Sequence, residues 1–140
     1  MVCAEPPTEA PAPAGLAELG AADVPELLAL TELTQPGPFG PRTIELGRYI
    51  GVRVDGRVAA MAGERLRPEG HTEISAVCTH PDFAGRGYAR ALMRLLMSDA
   101  ARVGRLPMLH VKTENGAKHL YEKLGFRERR PIRLTVIRPR

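Results

Sequence analysis

Residues 79–89 read Thr79-His80-Pro81-Asp82-Phe83-Ala84-Gly85-Arg86-Gly87-Tyr88-Ala89, and the fold turns on them. The stretch before them, Thr72 to Thr79, has the short alternating pattern of a strand, with Glu73, Ser75 and Val77 on one face and Ile74, Ala76 and Cys78 on the other. His80-Pro81-Asp82 breaks that strand. From about Tyr88 to Val103 the residues Leu92, Leu95, Leu96 and Val103 recur at helical spacing, and Gly104 is placed to end the helix. A strand, a turn with two glycines and a helix form a physical recipe for holding phosphate. Glycine lets backbone approach an anion, the first amides of a helix have no internal acceptor, and the helix dipole adds positive potential there. The amides of Gly85 to Ala89 are the natural donors, with Arg86 and Arg90 adding charge. Taken alone, the same residues also suit a joint whose glycines only turn the chain. The spacing fits neither a P-loop nor a dinucleotide fingerprint.

Working outward, Thr72–Thr79 is expected as the third strand of an antiparallel meander. Ile50, Val52 and Val54 alternate, Asp55-Gly56 is a hairpin turn, Val58 to Leu66 returns, and Pro68-Glu69-Gly70 turns again. Upstream, Asp23 and Pro25 mark the start of a helix carrying Leu27, Leu28, Leu30 and Leu33, which Pro36-Gly37-Pro38 ends. Leu16 to Leu19 reads as a short strand. Residues 1–15 are rich in Pro and Ala without periodicity and read as a disordered tail, leaving residues 16–140 as a single domain. Downstream come a strand over Leu106 to Val111, a helix over Gly116 to Leu124 closed by Gly125, and a last strand over Ile132, Leu134 and Val136.

Composition narrows the function classes. The 140 residues suffice for one core. No apolar run approaches the roughly 20 residues of a membrane span, and the N-terminus lacks the pattern of a signal peptide, so a cytoplasmic protein without a membrane partner is expected. Cys3 and Cys78 are expected to be unbridged, and the four histidines show no metal-ligand spacing. From Arg86 onward there are 14 Lys and Arg against 4 Asp and Glu, whereas the part before it is acidic. A basic half suits an anionic partner, either a phosphorylated cofactor or nucleic acid. With three Phe, three Tyr and no Trp, base-stacking residues are scarce, so no nucleic acid is expected.

The run His80 to Ala89 followed by Leu92-Met93 resembles motif A of the GNAT superfamily of N-acetyltransferases, Gln/Arg-x-x-Gly-x-Gly/Ala. Asn115-Gly116-Ala117-Lys118-His119-Leu120-Tyr121-Glu122-Lys123-Leu124-Gly125-Phe126 resembles its motif B. The resemblance covers about Leu16 to Val136 and implies an α/β fold. It would be a GNAT-like mixed sheet, an antiparallel meander followed by strand-helix-strand-helix-strand. Two positions depart from the pattern. Ala84 stands where the family has Gln or Arg, and Asn115 precedes Tyr121 by six residues rather than seven.

The resemblance implies acetyl-CoA as acyl donor, an amine as acceptor and direct attack; a homodimer is among the assemblies it allows. Gly85, Arg86, Gly87, Tyr88, Ala89 and Arg90 would then hold the pyrophosphate. Val77, Cys78 and Thr79 would pair with the pantetheine arm, and Asn115 would contact cofactor or substrate. Tyr121 matches the acid that protonates the leaving sulfur. Glu73 matches a strand glutamate that serves as base, with a carboxyl raised by burial; Glu64 or a water is the rival. His110 and His119 are expected to be structural or surface residues. Ala84 keeps open an alternative, a catalytically weak acyl-CoA-binding or regulatory domain.

Overall fold

The computed structural model describes residues 1–133, 135 and 137. The strands are β1 (Leu16–Leu19), β2 (Tyr49–Val54), β3 (Arg57–Glu64), β4 (His71–Thr79) and β5 (Leu106–Met108). The helices are α1 (Val24–Thr34), α2 (Tyr88–Arg102) and α3 (Lys118–Lys123). The strands form one sheet in the order β1-β2-β3-β4-β5, antiparallel until β5 joins β4 in parallel. Asp55 and Gly56, both at positive φ, close the β2–β3 hairpin as the Asp-Gly pair predicts. No helix among the described residues is long and apolar enough to cross a membrane.

Each face of the sheet has its own core. Ile50, Val52, Ala60, Ala62 and Ile74 pack with Leu92, Met93, Leu96 and Met97 of α2. Tyr49, Val58, Met61, Ala76 and Cys78 pack with Leu27 and Leu30 of α1. The α2 stripe follows helical spacing except at Val103, which lies past the helix end and is exposed; Leu33 of α1 is exposed as well.

Simple alternation fails along β4. Cys78 opposes Met61 and Ser75 opposes Gly63, so β4 spends one residue more than β3 over this interval. The extra residue sits at Ala76, whose φ is +53°. An alanine there costs about 1 kcal/mol, and such a bulge re-aims the strand. As a result Ile74 and Val77 face the α2 core while Ala76 and Cys78 face the α1 core, correcting the expected grouping of Ile74 with Ala76 and Cys78.

β5 ends at Met108 rather than Val111 and pairs with β4 only at His71, Thr72 and Glu73. Beyond Glu73 the outer edge of β4 has no strand partner among the described residues. Of the expected last strand, Leu134 and Val136 lie outside the described residues, and Ile132 belongs to no strand. The first 15 residues are not the tail that their composition suggests. Val2 exchanges backbone hydrogen bonds with Arg127, the Cys3 amide donates to the Pro107 carbonyl, and Cys3 is buried. Further along, the Ser98 hydroxyl donates to the Thr8 carbonyl. Three apolar residues laid along the free side of β5 suffice to dock the segment, and they leave no periodicity to read.

Tyr49 lies across Gly63, its partner on β3; a Cβ there would come within 2.2 Å of the ring. The Tyr49 hydroxyl is buried without a hydrogen-bond partner among the described residues, and burial pushes its pKa up to about 12. Removing an unsatisfied buried hydroxyl while keeping the ring relieves a desolvation cost. Tyr49→Phe is therefore expected to raise stability by about 1 kcal/mol in urea unfolding. A loss of stability would mean the hydroxyl has a partner after all.

Candidate active site

The turn between β4 and α2 is built in steps. The His80 ring accepts a hydrogen bond from the Asp82 amide at 3.1 Å through Nδ1, starting a single 3₁₀ turn over Pro81–Phe83. Phe83 is buried, with His80 edge-on to its ring and the Arg57 and Arg86 guanidiniums within 5.2–5.6 Å of the ring centre. Gly85 and Gly87 both have φ of +77°, where a side chain would strain the backbone, and open space lies where each Cβ would be. Gly87 caps α2, and the first helical bond runs from the Ala91 amide to the Gly87 carbonyl at 3.0 Å.

The amides of Gly85, Arg86, Gly87, Tyr88, Ala89 and Arg90 consequently find no acceptor among the described residues. They border an open cleft of about 320 Å³, lined also by Thr79, Phe83 and Leu120. Arg90 also lines a neighbouring groove with Arg94 and Pro11. A run of unpaired amides at a helix start, with two arginines beside it, fits a pyrophosphate without the side chain that Ala84 lacks. Below the turn, the open edge of β4 past Glu73 presents the backbone of Val77, Cys78 and Thr79 to any extended group laid against it.

Tyr121 of α3 is buried, edge-on to Phe126 at 6.3 Å between ring centres. Burial, and then the Cys78 thiol, raise its pKa, so the phenol keeps its proton at neutral pH. Cys78 is itself pushed up to about 11, chiefly by burial. At pH 8 a thiol with such a pKa is thiolate in roughly one molecule per thousand, which makes a poor nucleophile. Cys78→Ala is expected to keep turnover within about threefold, since a buried thiol packs as a small apolar group. Loss of turnover together with a trapped acetyl-thiol would overturn that.

Glu73 differs from expectation. It is 1% exposed. Arg65 grips it with both arms of its fork, Nε to Oε2 at 3.0 Å and the terminal nitrogen to Oε1 at 2.7 Å. His110 Nδ1 lies 2.6 Å from Oε1. Burial alone would raise this carboxyl, as the sequence suggested, but Arg65 and His110 together outweigh it and hold the group below its ordinary value. Glu64 is occupied too: Arg67 donates to it at 2.7 Å. Asn115 stays local, its side-chain oxygen accepting from the Ala117 amide at 2.9 Å ahead of α3.

Sequence reasoning thus brings the turn, Thr79, Cys78 and Tyr121 to one side of the molecule and leaves Asn115 engaged in its own turn. It misses Arg65 and passes over His110. The signal for His110 lies in a register: Glu73 pairs with Met108, so the residue two further along shares that face.

Residues 49–134 match the family described as FR47-like protein. The chain belongs to that family and, through it, to the GNAT superfamily of N-acetyltransferases. No curated protein matches it. Among solved structures it is similar to a protein from Novosphingobium aromaticivorans DSM 12444 described as a GNAT-family acetyltransferase. Identity is 44% and the TM-score 0.83, over 92% of this chain and 58% of the other. The chain therefore spans 58% of that relative's length. The fold also resembles the ribosomal-protein-S18-alanine N-acetyltransferase of Escherichia coli, at 24% identity and TM-score 0.70 over 82% and 78% of the two chains. An aminoglycoside N-acetyltransferase in complex with CoA superposes at 15% identity and TM-score 0.71 over 89% and 99%.

Proposed function

We propose that this chain is an acetyl-CoA-dependent N-acetyltransferase that passes the acetyl group directly to a primary amine, with Met1 to Cys3 docked along β5 as part of the catalytic domain. The observation that carries the reading is the run of six unpaired amides, Gly85 to Arg90, bordering the cleft at the start of α2. They, with Arg86 and Arg90, receive the pyrophosphate. The pantetheine arm adds along the open edge of β4 at Val77, Cys78 and Thr79. The bulge at Ala76 leaves backbone outside the ladder, free to polarise the thioester carbonyl. Tyr121 protonates the departing sulfur. CoA bound by a 15%-identical neighbour of the same fold is consistent with this.

The test is release of free CoA from acetyl-CoA across a panel of amines: small polyamines, amino sugars and peptides with free N-termini. Amine-dependent release supports the reading. CoA binding without turnover on any amine favours the acyl-CoA-binding alternative that Ala84 suggests. No CoA binding at all removes both.

A further inference from the structure

Proton removal from the amine requires a group that is both basic and reachable. The carboxylate of Glu73 fails on both counts: it is buried, and each oxygen already accepts a hydrogen bond. Its neighbour meets the requirement. The side chain of His110 is 32% exposed while its Nδ1 touches Glu73. We propose that His110 is the general base of the acetyl transfer, with Glu73 and Arg65 as positioning residues that set its tautomer and hold its ring. This assignment rests on the acetyltransferase reading above.

The tautomer follows from the partners. A carboxylate locked to a guanidinium stays ionised and can only accept, so at 2.6 Å the hydrogen belongs to Nδ1. Nε2 of the neutral ring then carries a lone pair. Glu73 is paired with Met108 at the last rung of β5, and His110 lies two residues past it. The pair therefore sits where β4 and β5 part, at the closed end of the open β4 edge. The phosphate turn lies past the other end of that edge, beyond about 20 Å of strand. The backbone just before His110 is fixed as well: the Leu109 amide donates to the Met1 carbonyl at 3.0 Å, and the Met1 ammonium donates to the Leu109 carbonyl at 2.8 Å. Among the described residues, the charged groups behind the ring are Glu73 on β4 and, through it, Arg65; Tyr49 of β2 lies within their electrostatic reach.

In the reaction the ammonium of the acceptor gives one proton to Nε2, and the resulting imidazolium is stabilised by the Glu73 carboxylate. The free amine adds to the thioester carbonyl, and the carbon–sulfur bond breaks. The thiolate takes the Tyr121 proton, and the phenolate takes the second proton of the new amide nitrogen. His110 returns its proton to water, so the balance is one amide, one CoA thiol and one released proton.

Three variants and one spectrum test this. In H110A, kcat with a saturating amine should fall about 10²-fold. The affinity for CoA should stay within about threefold, the acidic limb of the kcat/KM profile should be lost, and added imidazole should restore part of the rate. In E73Q the acidic limb should move, because the partner of Nδ1 is no longer an anion. R65K should lower kcat less than H110A does, since a lysine keeps the charge but not the fork. Nitrogen NMR of His110 in the wild-type protein, read without any substrate, should show the proton on Nδ1. It remains decisive even if E73Q does not fold. H110A turning over within threefold of wild type with an unchanged pH profile would overturn the assignment, as would an Nε2-protonated ring in the spectrum. Wild-type protein inactive on every amine would overturn the acetyltransferase reading, and this assignment with it; an active wild type beside an equally active H110A sinks only the base.

Discussion

Gly87→Glu is expected to lower the affinity for CoA by more than about 100-fold. Two penalties combine at this position. The φ of +77° is open to glycine and costs any other residue about 1–2 kcal/mol. The carboxylate would also stand at the N-cap of α2, where the unpaired amides and Arg86 and Arg90 are expected to meet an anion, and would occupy or repel its place. Every 1.4 kcal/mol is a factor of ten, so a few kcal/mol of charge competition suffices. Gly87→Ala is the control. It carries the backbone penalty without the charge, and since open space lies where its Cβ would be, its loss should be about tenfold or less. Calorimetric titration of CoA into the three proteins measures both. Equal affinity in wild type and Gly87→Glu would move the pyrophosphate away from this turn.

Tyr121→Phe is expected to cut kcat by about 10³-fold while leaving CoA affinity within about threefold. The ring keeps its edge-on packing against Phe126, so the fold is undisturbed, and what is lost is one proton donor. Burial and the nearby Cys78 thiol hold that proton on the phenol, which makes it available as the sulfur leaves rather than before. A thioester with a more acidic leaving thiol should recover much of the rate, because such a thiolate departs without protonation. A variant with more than half the wild-type kcat would reduce Tyr121 to a core aromatic.

The order of elements from β1 to α3 was legible because each carries a local signature. Asp55-Gly56 announces a hairpin, Leu92 to Leu96 a helix stripe, and Gly85 with Gly87 a turn that side chains disfavour. The turn proposed to hold phosphate was legible for the same reason: it is built of backbone and needs only glycines and a helix start. The ionic group behind the edge of β4 was not. Arg65, Glu73 and His110 come from a loop, a strand and the segment just past another strand, and their meeting depends on two registers and a bulge. Alternation counted along the sequence goes out of step at Ala76, and nothing about an alanine signals a positive φ. The first residues were misread for a related reason: Met1, Val2 and Cys3 are too few to show a period, and their place is decided by the free side of β5 and by Arg127.

The extra residue in β4 has a consequence for how this sequence can vary. Up to Ile74 the strand is in one phase, and from Val77 it is in the other. Ile74 and Val77 can therefore both be apolar toward α2 while Glu73 and Cys78, five positions apart, both turn toward α1. Ser75 or Ala76 exchanged for another small residue should leave the phase intact. Loss of either one would restore strict alternation with Glu73 and Cys78 still turned toward α1, and would remove only the backbone that stands outside the ladder at Ala76. Both faces of the strand therefore survive with or without the extra residue, and what that residue adds is a stretch of backbone that belongs to no rung.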